Sequence, residues 1–359
     1  LPMVGIMTSG YKKAFWVNPR PIAQNPEKHI REIVEMGADE IFLLSIDGEG
    51  ALYPAKFSVV AKGVAEKSLI GDLIKEAKRS GLKVHAWVVA LNKPNKDLTT
   101  KRKDWFVVSR EGKSCVDNPP YVEDYKWLCP SNDEVKSYFI GTIQELMETY
   151  DLDGIHLDYI RLPDLFLPEG LRERYGLERE MDVYRGKFDF CYCEKCRNGF
   201  KKDFGVDPLE IRFGSRKWYE WHAWRAERIT ELVANFHRTV KKYDNTIETS
   251  AAVFATPGYA YRIVFQKWCE WPLDSFEPMI YHEYYGKNIR WIGEAVMEGV
   301  SCGKTIVAGI QFEFLRSRRD VDEAVNIALE KGSNGVCLFL YPLQHPELRD
   351  AVKEVFSRF

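Results

Sequence analysis

The chain has 359 residues and a formal net charge of −2, with 51 Lys and Arg set against 53 acidic residues. This balance argues against nucleic acid or a lipid surface as a partner, and no apolar run is long enough to span a bilayer. A charged fraction of 29% lies above the average of about 25% and fits a heat-adapted source.

One rhythm recurs along the chain: a short apolar or β-branched run, a loop, then an amphipathic stretch. It is the pattern of parallel strands joined by helical crossovers. The spacing predicts a first strand over Val4–Thr8 and a helix from Pro26 to Met36, with Ile30, Ile33 and Val34 at helical spacing. A second strand follows over Glu40–Ile46. A helix over Lys67–Ser80 stops at Gly81, and a third strand covers Lys83–Val89. Next come a helix over Val135–Tyr150, a strand over Gly154–Asp158 and a helix over Trp218–Tyr243. Strands are then predicted over Ile247–Phe254, Phe276–Tyr281 and Thr305–Phe312. A helix over Asp320–Lys331, with Asp320 as N-cap, and a strand over Gly335–Tyr341 close the series. Gly37, Gly81, Gly299 and Gly332 each fall between a predicted helix and the next strand.

Eight such units predict an α/β fold, a (β/α)8 or TIM barrel with residues 1–359 as one domain, because closure removes both sheet edges. An open doubly wound sheet is the alternative. The usual barrel takes about 250 residues, and two insertions take up the rest. One covers about residues 91–130, after the third strand. The other covers about residues 161–217, after the fourth, and carries a cysteine cluster. Both leave from strand C-terminal ends, where barrel enzymes build their sites. The chain begins with Leu1 rather than Met, which is compatible with a removed leader or a trimmed start. Localisation is open between cytoplasm and secretion.

Alternate strand residues face opposite ways. In the seventh strand Ile306, Ala308, Ile310 and Phe312 form the apolar outer set, so Val307, Gly309, Gln311 and Glu313 are expected to face the axis. The same argument turns His156 and Asp158 inward on the fourth strand and His85 and Trp87 inward on the third. On the second, Phe42, Leu44 and Ile46 are expected outside, with Ser45 and Asp47 inside. On the sixth, Tyr281 and Glu283 share one face and His282 takes the other. A barrel with only a structural interior would fill these layers with Val, Ile and Leu. Several carboxylates and two histidines at one rim point to a site.

The segment DLDGIHLDYIRLP, Asp151–Pro163, is the strongest signal. Asp153 and Gly154 turn the chain into a strand that ends on Asp158, and Tyr159, Arg161 and Pro163 begin the loop. With LYPAKF (Leu52–Phe57), GLKVHAW (Gly81–Trp87), Trp105, PMIY (Pro278–Tyr281), AGIQF (Ala308–Phe312) and Tyr341 in order, the chain resembles the glycosyl hydrolase-like 10 group of barrel proteins. The CxCxxC segment and several loop lengths look like a distinct branch of that group. The resemblance implies a glycoside-hydrolase-like barrel with a catalytic Asp at the end of its fourth strand.

Glycoside hydrolysis typically uses two carboxyl groups that flank the scissile bond. Asp158 is assigned as the carboxylate that attacks or activates water. It is expected to stay ionised, held low by His156 or Arg161 if either is close and charged. The acid partner is Glu283 or Glu313. Asp47, His85 and Gln311 are candidates to bind sugar hydroxyls, as are His156, Arg161, Tyr281 and Tyr341 around the same rim. Trp87 is a candidate stacking platform. No cofactor is expected for the chemistry, and a carbohydrate is the expected partner. The competing readings are a metal-dependent barrel hydrolase (a deacetylase or amidohydrolase) using His85, His156, Asp158 and His282, and a barrel that binds carbohydrate without catalysis.

Cys191, Cys193 and Cys196 lie in FCYCEKC. Their spacing favours a thiolate cluster over a disulfide framework. A structural zinc would need a fourth ligand, for which Cys129 or Cys115 on the other insertion is the candidate. Cys269, Cys302 and Cys337 are expected to be small buried hydrophobes.

Overall fold

The alternating pattern folds into a closed ring of eight parallel strands in chain order, in a computed structural model that describes residues 10–64, 66–177 and 186–359. The strands are β1 (Lys12–Val17), β2 (Glu40–Ile46), β3 (Lys83–Val89), β4 (Gly154–Asp158), β5 (Glu248–Phe254), β6 (Ser275–Met279), β7 (Ala308–Gln311) and β8 (Gly335–Tyr341). Helices between them bury their apolar stripes on the outside of the ring. Examples are Ile30 and Ile33 of the helix Pro26–Glu35, and Leu73, Ile74 and Ala77 of Gly71–Arg79. No helix among the described residues is long and apolar enough to cross a membrane.

Beyond shorter bounds for β6, β7 and the helix Gly71–Arg79, three expectations change. The first barrel position belongs to Lys12–Val17, and the Val4–Thr8 run lies outside the described residues. Two lysines at the start of β1 hide its period. Lys12 stands at the base of the barrel, 3.5 Å from Glu40 and ion-paired with Glu248, while Ala14 and Trp16 point to the axis. The phase of β2 is also reversed: Phe42 and Leu44 pack inside, and Ile41, Leu43 and Ile46 outside. The run EIFLLSI is apolar on both faces, so alternation carries no phase, and the register slips between Leu44 and Ile46. Ser45, expected inside, is buried with its hydroxyl turned to Leu43 O. Lastly, the helix Arg318–Glu330 starts earlier than expected. Ser317 is its N-cap and accepts from Asp320 N, and Asp320 sits in the first turn, where it suits the helix dipole.

The inner layer near the base is polar. Glu40 lies 3.2 Å from His85 Nε2 and pairs with Lys83 at 3.6 Å. Ser275 Oγ lies within hydrogen-bond distance of both Glu248 (2.8 Å) and Glu277 (3.0 Å), with one proton to share between them. One layer up, Trp16 Nε1 donates to His156 Nε2 at 3.0 Å, and His156 Nδ1 lies 2.9 Å from Ser250 Oγ and 3.4 Å from Glu277. This pairing places the imidazole proton on Nδ1. Gly154, in DGIHLD, makes room for the layer: a Cβ there would lie 2.0 Å from His85 Nδ1. Buried polar groups on this scale are tolerated only where partners replace water.

Burial alone would raise the Glu40 carboxyl, but His85, Lys12 and Lys83 outweigh it and hold its pKa down to about 2. Because the folded value lies below the ordinary one, Glu40 contributes stability that is present above about pH 4.5 and is lost as the pH falls toward 2. Denaturant unfolding measured between about pH 5 and about pH 2 should show the wild type losing on the order of 3 kcal/mol more than Glu40→Gln. Equal losses in the two proteins would contradict this account of the base.

Candidate active site

The strand C-terminal ends and the two long insertions enclose a cavity of about 450 Å³. Its floor is set by barrel side chains: Trp16, Trp87, Ala252, Met279 and Phe339. Its walls are Tyr125, Tyr159, Phe254, Tyr281, Tyr284 and Tyr285. Four polar side chains interrupt this lining: Asp158, Arg161, Asp164 and Gln311. A largely apolar, aromatic cavity with a few converging polar groups is the ordinary form of a small-molecule site.

Asp158 is the last residue of β4 and only 7% exposed. Trp87 Nε1 donates to its Oδ2 at 3.0 Å, and the backbone N–H of Tyr159 donates to its Oδ1 at 2.7 Å. Tyr159 reaches that geometry with φ of 51°, a strained backbone for a bulky residue. Burial pushes the Asp158 pKa above the ordinary carboxylate value, and the Tyr159 N–H, Trp87 and Arg161 offset it only in part. The expectation that His156 or Arg161 would hold this group low is therefore corrected: desolvation wins. The same burial, with Asp158 close by, lifts the Tyr281 phenol well above its usual range.

Asp164 is a cavity carboxylate that the sequence reading missed. It is 4% exposed and lies 2.9 Å from Arg161 Nη1. The Arg161 guanidinium is itself buried over the rings of Trp127 (4.7 Å), Phe254 (5.0 Å) and Tyr159 (5.2 Å). Tyr121 donates its hydroxyl to Asp164 O and stacks on Phe188 at 4.3 Å, so the two insertions hold this stretch jointly. A signal was present in the sequence: Asp164 directly follows IRLP, three residues after an arginine.

Of the expected residues, the cavity brings together Trp87, Asp158, Arg161, Tyr281 and Gln311. It leaves others out. His85 and His156 are fully buried in the layers beneath its floor. Asp47 accepts from the N–H groups of Glu49 and Gly50 in its own loop and pairs with Arg20 at 2.6 Å. Tyr341 faces outward, where its hydroxyl donates to Glu32. Glu283 does not line the cavity: both of its oxygens accept from Arg316, at 2.5 and 3.0 Å, and Arg316 lowers its pKa. Glu313 is exposed in a short 3-10 turn, reached from the cavity only through Gln311 Nε2 at 3.3 Å. Strand alternation fails for both glutamates because the extended chain ends before them, at Met279 and Gln311.

Behind the wall, Cys129 of one insertion meets Cys191, Cys193 and Cys196 of the other, all four sulfurs within 4.8 Å of one another. Cys115 is not part of this group; its sulfur is bonded to the backbone of Trp127. Cys269 and Cys302, expected as isolated hydrophobes, form a disulfide. Cys337 is buried inside the barrel.

Comparisons place these features among known barrels. Residues 25–159 match the model of a family described as hypothetical glycosyl hydrolase 6. Among solved structures, the chain is similar to the PgaB (BpsB) glycoside hydrolase domain from Bordetella bronchiseptica. That likeness has a TM-score of 0.70 at 14% identity and covers 97% of this chain and 99% of that one. It is also similar to α-L-fucosidase isoenzyme 2 from Paenibacillus thiaminolyticus, with a TM-score of 0.66, 13% identity, and 97% and 49% covered. A third likeness is to the catalytic domain of β-amylase from Paenibacillus polymyxa, with a TM-score of 0.60, 11% identity, and 91% and 92% covered. At these identities the likenesses concern the fold. The comparison with curated proteins gave no match.

The Trp87 indole N–H favours the ionised form of Asp158. In Trp87→Phe the Asp158 titration, followed by carbon NMR of labelled aspartate carboxyls, should move to higher pH than in the wild type. A shift to lower pH, or none, would show that this bond does not set the protonation of Asp158.

Proposed function

We propose that the protein is a glycoside hydrolase whose reaction runs on carboxyl groups in the aromatic cavity, with Asp158 at its centre. The observation that carries this reading is a carboxyl group with a raised pKa, sealed at the C-terminal mouth of a barrel and surrounded by rings that suit the apolar faces of sugars. The match to a glycosyl hydrolase family over residues 25–159 supports it, as do solved barrels of similar fold that are themselves glycoside hydrolases. The DGIHLD segment, whose resemblance suggested the group-10 relatives, lies within the region that matches the group-6 family.

The two carboxyl roles follow from environment. Burial raises the Asp158 pKa and so favours its protonated form, which suits the proton donor to the leaving oxygen, so Asp158 takes that role rather than the attacking one. The second role needs a carboxylate facing the same space. Asp164 meets that need, with its charge matched by Arg161. Glu313 is the next candidate, through Gln311, whereas Glu283 is committed to Arg316. Trp87, Tyr281 and Gln311 would contact the sugar. The metal-dependent alternative is disfavoured, because His85 and His156 are committed to partners below the floor. Among the described residues, the Cys quartet is the one group of His, Cys, Asp or Glu side chains placed to share an ion. A zinc at that quartet would serve the scaffold, and no cofactor enters the reaction.

A hydrolysis screen over a glycan panel, read by mass, should find a cleaved substrate. On that substrate Asp158→Asn and Asp164→Asn should each lower kcat by about 10²–10⁴-fold while sugar binding persists. Glu283→Gln should stay close to wild type. Binding of a panel sugar without cleavage by the wild type would instead identify a carbohydrate-binding barrel, and full turnover by Asp158→Asn would remove the assignment.

A further inference from the structure

The four clustered thiols carry an inference that does not depend on how the cavity is read. Cys129 Sγ lies 3.8 Å from Cys193 Sγ and 3.5 Å from Cys196 Sγ, and Cys191 completes a group spanning no more than 4.8 Å. Disulfide sulfurs would be about 2.0 Å apart. Four sulfurs held at about 2.3 Å around a tetrahedral zinc ion are about 3.8 Å apart along each edge. The two spacings from Cys129 are close to such an edge, and no pair of the four exceeds 4.8 Å.

One further observation is consistent with an ion. Arg225 is 1% exposed and lines the same small gap as Cys191, Cys196 and Arg228. One of its guanidinium nitrogens bonds Asp189 and Phe190 O, but Arg225 Nε and Nη2, and Arg228 Nε, are buried with no acceptor. Buried guanidinium donors without acceptors are costly. A tetrathiolate zinc centre is a dianion, and a buried guanidinium beside it is a favourable neighbour for that charge.

We propose that Cys129, Cys191, Cys193 and Cys196 bind one zinc ion in a closed structural site that joins the two insertions behind the cavity wall. All four positions are filled by sulfur, which leaves none for water or substrate and makes the site structural. Soft thiolate ligands favour zinc over magnesium, calcium or manganese. The insertions also meet through the Ser109–Phe190 bridge and the bond from Tyr192 N to Val108 O. Cys129 lies two residues beyond Trp127, whose ring packs on Tyr159 and under Arg161. The metal therefore braces the wall that holds Arg161 and Asp164.

The test is elemental analysis of the full chain, purified after expression with zinc supplied and dialysed against a metal-free buffer. About one zinc per chain is expected, falling at least tenfold in Cys193→Ser/Cys196→Ser. Should that variant fail to fold, cobalt exchanged into the wild type gives the same answer. The expected spectrum has thiolate-to-cobalt charge-transfer bands and the visible bands of a tetrahedral site. A wild type that takes up neither zinc nor cobalt, with the quartet open to thiol reagents in the native state, overturns the proposal. So does zinc that the double variant retains, or iron in place of zinc. None of these readouts uses turnover, so failure here leaves the hydrolase reading untouched, and the reverse holds.

Discussion

The hydrogen bond from Trp87 Nε1 to Asp158 Oδ2 joins the barrel interior to the cavity. It sets one oxygen of a carboxyl group that water barely reaches, while the Tyr159 N–H sets the other. Neither donor is adjustable: Trp87 is fixed by β3, and Tyr159 by a turn with positive φ. Beneath them Trp16, the other large ring of the floor, is held by His156, which is held in turn by Ser250 and Glu277. A polar interior of this kind is costly unless every layer supplies the partners of the next. What it provides here is a rigid floor with one carboxyl group in a fixed pose, which is what positioned acid catalysis requires.

The insertions contribute what the barrel cannot. Barrel strands place Asp158, Trp87 and Gln311, but Arg161, Asp164 and most of the ring-lined wall lie on loops. Loops of this length need cross-links to hold a site to fractions of an ångström. The Tyr121–Phe188 stack, the Ser109–Phe190 bridge and the thiol quartet tie one insertion to the other, and Arg225, on the helix that follows, anchors Asp189 and Phe190. The two parts of the site thus have different origins of rigidity: strand pairing for the floor and cross-linking for the wall.

How much of this was legible in the sequence depended on which force set each feature. Strands β2, β3, β4 and β8 are readable to the residue because short apolar runs are bounded by polar or Gly positions. The inward faces of β3 and β4 are readable because His85, His156 and Asp158 stand out against Val, Ile and Leu. Position β1 was not, because Lys12 serves an ion-pair network that only closure of the ring creates. Nor was the phase of β2, which is apolar on both sides. For the candidate site, alternation found Asp158 but failed for Glu283 and Glu313, which lie past the strand ends in 3-10 turns. Asp164 was missed because its place depends on a buried ion pair within a loop, which has no period. The raised pKa of Asp158 could not be read either, since desolvation comes from residues distant in the chain.

The proposed chemistry requires Asp158 to meet the bond that breaks, and a crystal structure with an uncleavable thio-linked analogue of a panel substrate addresses this directly. The bridging atom should lie about 2.6–3.2 Å from an Asp158 oxygen, with the sugar ring against the aromatic lining. An analogue seated elsewhere on the chain, with Asp158 still sealed between Trp87 and Tyr159, would contradict it.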